Sequence, residues 1–368
     1  MSYLEIAKYF LKLGFTGFGG PVALIQQMRI DLVENLNPPI LTESEFDQAF
    51  TMIKAMPGPI AFQMAVYIGQ VKKKFWGGFI AGLGIILPSF FMMILLAIFY
   101  NQVIHNNYLS QALLGAQYAV AGIITVGLYK LSKNFHQKKI FWILFFLAGF
   151  LYYFKLAPES VLIIFSGLLL VGYSKFKNKL FSISVFPLFV FDQDKIFNIF
   201  AICFKAGALV FGTGLAAFPF LQRAFVNELG WLDLKTFNDA VSLGQLTPGP
   251  VTISAAFMGY KMADFYGAIA AVIGLYLPAF IHISTWFPKA LSWLSKQTWV
   301  NDFILGSAAA VVSCVLITLY HMNLSEITKP FFWIIFVGSV FIQFRWKNLS
   351  ILKIIAFGIL VSLFSTFL

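Results

Sequence analysis

Charge is scarce in this sequence. Only 11% of its 368 residues are Asp, Glu, Lys or Arg, against about 25% in an ordinary soluble domain. So thin a polar supply cannot clothe a chain that is 60% hydrophobic and holds 44 Phe. A cytosolic globular enzyme is thereby excluded, and the same numbers exclude disorder. Cysteine is nearly absent. Cys203 and Cys314 both lie in apolar stretches and support neither a disulfide framework nor a metal site. The four histidines (105, 136, 282 and 321) are expected mostly in loops and form no cluster. The phosphate-loop pattern Gly-x-x-x-x-Gly-Lys-Ser/Thr is missing, so ATP is not the direct energy source. His-Glu-x-x-His and Gly-x-Ser-x-Gly are missing too, which argues against an intramembrane enzyme. No cofactor is expected. The start, MSYLEIAKYFLKLGF, has no small-residue cleavage site, so no cleaved leader is expected. A polytopic membrane protein remains.

Acids are outnumbered, 15 to 26, giving a net charge of +11. In a membrane chain this points to cytoplasmic loops facing anionic lipid, or to a pathway that attracts anions, rather than to nucleic acid.

The chain repeats itself. Ala55-Met-Pro-Gly-Pro-Ile60 returns as Leu246-Thr-Pro-Gly-Pro-Val251, and Phe46-Asp-Gln-Ala49 as Phe237-Asn-Asp-Ala240. Gly84-Ile-Ile-Leu-Pro-Ser-Phe90 returns as Gly274-Leu-Tyr-Leu-Pro-Ala-Phe280, and Trp142-Ile as Trp333-Ile. Gly115 and Gly167 return as Gly306 and Gly358. The shift stays near 191 throughout, the mark of an internal duplication. The expected units are residues 1–180, a connector at 181–197, and residues 198–368. In each, two helix-broken elements precede two long spans and two short apolar stretches.

Basic residues set the orientation. Lys72–Lys74, Lys130 to Lys139, and Lys175 to Lys179 each lie two spans apart and share one side, which the positive-inside rule makes cytoplasmic. In the second copy Lys261 is offset by Asp264 and Lys329 by Glu326, and the bias moves to the opposite loops, at Lys289, Lys296, Arg345, Lys347 and Lys353. The expected fold class is therefore an all-α polytopic membrane protein of two inverted-topology repeats. Each repeat has Gly/Pro-broken helices at the bilayer midplane, with about ten crossings plus re-entrant segments.

The breaks are where chemistry is expected. Lys12-Leu-Gly-Phe-Thr-Gly-Phe-Gly-Gly-Pro21 holds four glycines and a proline, enough to unwind a helix. Unwound backbone at membrane depth survives only when buried in protein or lining a cavity. The amides of Gly17, Gly19 and Gly20, with a helix restarting near Pro21, would attract an anion. Pro57-Gly58-Pro59 and Pro248-Gly249-Pro250 would add Gly58 and Gly249, with Gln63, Thr247, Thr252 and Gly212 as further donors. The bland alternative is a kink in a packed helix. Lys12 and Lys205 occupy equivalent positions and are either charge partners for a dianion or residues snorkelling to the interface. Lys54 next to the first Pro-Gly-Pro is a ligand candidate. Asp47 and Asp239 are read chiefly as helix caps, with proton coupling as the other reading. Arg29 and Arg223 are anchors or anion gates.

At these residues the chain resembles the chromate ion transporter family. The resemblance rests on Phe10-Leu-Lys-Leu-Gly-Phe-Thr-Gly-Phe-Gly-Gly-Pro21, Met56-Pro-Gly-Pro59, Phe204-Lys-Ala-Gly207, Gly230-Trp231-Leu232 and Leu243-Gly-Gln-Leu-Thr-Pro-Gly-Pro250. It implies a two-domain carrier of oxyanions in which chromate efflux confers resistance and sulfate is the chemical mimic. The combined expectation is a multi-pass inner (plasma) membrane secondary transporter, an antiporter for chromate or a sulfate-like dianion. An anion channel, or a carrier of another small anion, is the alternative. The coupling ion is unassigned, and a homodimer is the candidate assembly.

Overall fold

The computed structural model of the chain describes residues 1–175 and 194–367, apart from 19, 37, 55, 134, 210–213, 295, 347 and 348. Most of the expected connector therefore lies outside the described residues. Among those described, every regular element is a helix. The first half runs α1 (Tyr3–Thr16), α2 (Gly20–Arg29), α3 (Glu43–Ile53), α4 (Ile60–His105), α5 (Asn107–Ser132), α6 (Lys139–Tyr153) and α7 (Glu159–Lys175). The second runs α8 (Lys195–Leu209), α9 (Ala217–Gln222), α10 (Leu234–Leu246), α11 (Ser254–Thr285), α12 (Phe287–Leu294), α13 (Thr298–Met322), α14 (Pro330–Arg345) and α15 (Ile351–Phe364). Apart from the short α12, the order is the same. Both α2 and α9 run on into a π-helical turn, at Ile30–Glu34 and Arg223–Glu228.

Local chemistry sets the boundaries. Ser2 and Glu5 form a capping box on α1, and Thr42 and Glu45 another on α3. Asp233 caps α10. The capping reading of Asp47 and Asp239 is therefore corrected, because both lie inside their helices. The histidines also differ from expectation: 105, 282 and 321 are helical, and only His136 sits in a turn. Helix stops at Thr16 and Ile53 fall at the Gly-rich run and at Pro57-Gly58-Pro59, where rigid φ and missing amides end the helical ladder.

Inside α4 the backbone leaves helical geometry at Lys73 (φ −139°, ψ 31°) and Lys74 (φ 49°, ψ −145°). Inside α11 it does so at Ala263 (φ −153°, ψ 44°) and Asp264 (φ 49°, ψ −149°). Eight residues of straight helix rise about 12 Å. Yet a Cβ built on Gly69 would lie 2.3 Å from the Gly77 carbonyl oxygen, and one on Gly259 2.3 Å from that of Gly267. Both helices are thus hairpins, folded back at the same place in each half and closed by glycine-to-glycine contact.

Four helical stretches are long and apolar enough to cross a membrane: Ile60–Gln102, Asn107–Ser132, Val251–Thr285 and Trp299–Met322. Within the first and third, the hairpin leaves the longer second limb as the part that can span. Helices α6, α7, α14 and α15 hold 14 to 17 residues. They reach about 21–26 Å, short of a hydrocarbon core of about 30 Å. Trp142 donates to the His136 carbonyl and Trp333 to the Ile327 carbonyl, each at 2.8 Å, so both halves tie the same indole to the same preceding loop.

The halves interlock crosswise. Helix α5 packs on α14 and α15 of the second half, and α13 on α6 and α7 of the first. A Cβ on Gly115 would sit 2.3 Å from the Gly358 carbonyl oxygen, and one on Gly306 2.2 Å from that of Ser166. Lipid tails are as apolar as leucine, so backbones brought close by small residues are what hold such helices together.

Candidate functional site

Each half contributes one Pro-Gly-Pro break, and each break is packed against the other half. Gly58 has φ +127°, and a Cβ there would lie 2.6 Å from the Ala279 Cβ on α11. Gly249 has φ +93°, and a Cβ there would lie 2.8 Å from the Ser89 Oγ and 3.3 Å from the Ile85 carbonyl oxygen on α4. Only glycine meets both demands, a left-handed φ and no side chain. The two kinds of break also meet. The Gly249 N–H donates to the Gly17 carbonyl at 2.9 Å. In the second half, Gly214 (φ +79°) approaches Thr252 closely enough that a Cβ would lie 2.9 Å from its Cγ2.

The polar groups around this junction are neutral. Gln63 is fully buried, and its amide donates to the Pro57 carbonyl at 2.7 Å while its Oε1 has no partner. Ser254 occupies the same position after the second break, fully buried with its Oγ unpartnered. Thr252 shares a hydrogen bond with the buried Tyr276 hydroxyl at 2.8 Å, and Thr247 donates to the Gly244 carbonyl at 3.2 Å. Orphaned buried polar atoms are rare in folded proteins and ask for a reason. Here the two fall at matching positions beside matching breaks.

Gly17 also opens outward. With Lys12, Thr16, Tyr9, Asp31 and Lys72 it lines a cavity of about 780 Å³ between α1 and α2. Tyr9 donates to Asp31 at 3.1 Å, closing these two helices into a hairpin around the Gly-rich turn. Lys12 therefore faces the cavity rather than the buried junction. Lys205 is half-buried on α8, and Gly20 (φ +75°) opens α2. Lys54 is exposed, its ammonium 3.9 Å from the centre of the Phe50 ring. Gly19 and Gly212 lie outside the described residues. The structure thus gathers Gly17, Gly58, Gln63, Thr247, Gly249 and Thr252 near the breaks, puts Lys12 at the cavity beside them and sets Lys54 apart.

Arg29 and Arg223 are both committed to carboxylates. Arg29 lies 2.9 Å from Asp47, 3.3 Å from Glu34 and 3.8 Å from Glu43. Arg223 lies 2.7 Å from Glu228 and 3.7 Å from Glu159. Sequence reasoning passed over Ser89, Ser254 and Tyr276. Ser254 was within reach, since the 191-residue shift maps Gln63 onto it.

The model of the chromate transporter family matches residues 4–172 and 197–363. A probable chromate transport protein of Synechococcus elongatus is 31% identical over 94% of this chain and 90% of its own length. The chromate transport protein of Cupriavidus metallidurans is 30% identical over 98% and 92%. That of Pseudomonas aeruginosa is 29% identical over 95% and 88%. No solved structure matches the chain.

Proposed function

The chain belongs to the chromate transporter family, a family of transporters and not of enzymes, and from that membership and its paired helix breaks we propose that it is a secondary carrier exporting chromate or a like tetrahedral dianion across the plasma membrane. The observation that carries this reading is the meeting of the Gly-rich and Pro-Gly-Pro breaks at Gly17 and Gly249. The Ser254 hydroxyl is left without a partner there, and Thr252 and Tyr276 share one hydrogen bond between two hydroxyls, so a spare donor remains for a guest. Each half of a broken helix, such as α3 with 11 residues, is too short to cross alone, which supports a reading in which the breaks lie within the bilayer. Oxyanions suit such a site because neutral dipoles and helix ends stabilise charge without a fixed counter-ion that would hold it too tightly.

Inverted copies are part of the proposal, with residues 1–180 and 198–368 as the two units. Its support is the position of equivalent loops. The α13–α14 loop lies along the first half of α5, where Tyr118 donates to Glu326 and Ser325 shares a cavity with Ser110 and Gln111. The equivalent α5–α6 loop follows the far end of α5. With Lys72–Lys74 cytoplasmic, the α1–α2 cavity opens inward. Alternating access then amounts to rocking one copy on the other about the crossed breaks.

Radiolabelled chromate uptake into everted vesicles, with and without excess sulfate, tests this function. Saturable uptake above the vector control, depressed by sulfate, is the expected result. Uptake equal to control under every imposed ion gradient would overturn it.

A further inference from the structure

A second polar cavity, of about 390 Å³, lies away from the breaks, where the ends of α4 and α13 meet the starts of α5 and α10. Asp239 is 1% exposed there. Its Oδ2 accepts from the Tyr100 hydroxyl at 2.5 Å, and its Oδ1 accepts from the Gln117 amide. A carboxylate taken out of water and held by neutral donors alone is a costly arrangement, of the kind kept in membrane proteins for ion or proton relays. Beside it Asn238, which lines the same cavity, is 9% exposed and donates to the Met322 carbonyl at 2.8 Å, while its Oδ1 is buried with no partner. A buried acceptor without a donor is where a hydrogen-bearing guest would bind.

We propose that Asp239 is the coupling-proton acceptor of this carrier and that the Asn238-lined cavity is the route by which the proton reaches it. The proposal rests on the carrier reading. It goes beyond that reading by naming the driving ion and its residue. The step is a proton transfer. An O–H bond of water or hydronium in the cavity breaks, an O–H bond forms on Asp239, and the carboxylate becomes a neutral acid. Two charge-assisted bonds, to α4 and α5, become neutral ones of about half the strength. Helix α10 is then held less tightly to the first half. Asp239 lies eight residues before Thr247 on that helix, so the loosened tie is about 12 Å from the Pro248-Gly249-Pro250 break. Gln48 stands at the equivalent position in the first half, so the duplication supplies one such carboxylate and one proton per cycle.

The surroundings are mixed in charge. Lys235 and Asp233 lie on or just before α10 itself. From α4 comes Tyr100, with the Lys261 ammonium of α11 lying 5.1 Å from the centre of its ring. Gln117 faces from α5, and Glu326, paired with Lys329 at 2.8 Å, from the loop after α13.

Two readouts on the purified full chain test this. The first is the infrared pH-difference spectrum in detergent. The expected result is a protonated-carboxyl carbonyl band that grows on acidification and vanishes in Asp239→Asn. An unchanged spectrum in Asp239→Asn overturns the proposal, whatever the protein transports. The second uses proteoliposomes holding a luminal pH dye and labelled sulfate. Asp239→Asn is expected to keep sulfate exchange while losing sulfate-driven proton movement at least tenfold. Proton movement equal to wild type overturns the assignment. Sulfate exchange absent in wild type would count against the carrier reading and leave the infrared test standing. Should Asp239→Asn fail to assemble, Asp239→Glu decides: a displaced carboxyl band is expected, and an undisplaced one overturns the proposal.

Discussion

Replacing Gly58 or Gly249 by alanine tests the crossed packing of the breaks. At φ +127° and +93°, any side chain is forced into a region that costs about 1–3 kcal/mol. The new methyl also meets the facing helix, Ala279 at 2.6 Å or Ser89 at 2.8 Å, which adds about 1–3 kcal/mol of overpacking. Each alanine should therefore destabilise by about 2–6 kcal/mol. The two parts can be separated. Ala279→Gly removes the nearest atom facing Gly58, leaving the Gln63 amide at 2.8 Å, and Ser89→Gly removes the nearest one facing Gly249, leaving the Ile85 carbonyl at 3.3 Å. In double-mutant cycles read by unfolding in detergent, Gly58→Ala with Ala279→Gly should recover about 1–3 kcal/mol of the steric part. Gly249→Ala with Ser89→Gly should do the same, and neither should recover the backbone part. The leucine variants at both glycines should insert and yet abolish transport. Additive cycles at both pairs would refute the crossed arrangement, and so would an alanine cost under about 0.5 kcal/mol, the level of an ordinary surface change.

Glycines at the other helix contacts should behave according to their surroundings. Gly115→Leu should severely reduce folded yield, because the Gly358 backbone occupies the space, whereas Gly172→Ala, with nothing within 4 Å, should be neutral or gain about 0.5–1 kcal/mol in helix propensity. Lys12→Gln, at the cavity beside Gly17, should raise KM about tenfold, the worth of one charge-assisted hydrogen bond, while Lys54→Gln should change it less than about twofold. Equal effects of the two lysine variants in the uptake assay would contradict their placement. Glu326 lies outside the spans; burial pushes its carboxyl up, but bonds from Lys329 and Tyr118 outweigh this and hold it below the usual carboxylate range. The tie of the α13–α14 loop to α5 is therefore complete above the ordinary carboxylate value and lost as pH falls through the lowered one. Melting curves in detergent should show that acid sensitivity reduced in Glu326→Gln.

The breaks were legible in the sequence because glycine and proline act on their own backbone. The turns at 73–74 and 263–264 were legible as the charged loops at Lys72–Lys74 and Lys261–Asp264, but not their tightness, since Lys74 and Asp264 take φ 49° with ψ −145° and −149°, backbone that belongs mainly to glycine. What the chain could not disclose was partnership across the halves. Gly249 looked like an inward donor, yet its amide serves the Gly17 carbonyl in the other half. Asp239 looked like a cap because α10 was placed too late; the cap is Asp233, and the carboxylate six residues on is left to hold α4 and α5. Lys54 drew notice by lying three residues before Pro57, but it caps the C-terminus of α3, and its side chain lies back on Phe50 one turn earlier rather than toward the break.

Opposed orientation of the two copies is the claim on which alternating access depends. Gln137 and Thr328 occupy equivalent, exposed places in the α5–α6 and α13–α14 loops. The native Cys203 and Cys314 are buried and give little background. Labelling Gln137→Cys and Thr328→Cys in intact cells with a membrane-impermeant maleimide should mark Thr328→Cys at once and Gln137→Cys only after the cells are opened. Both cysteines reacting from the same side would contradict the inverted arrangement.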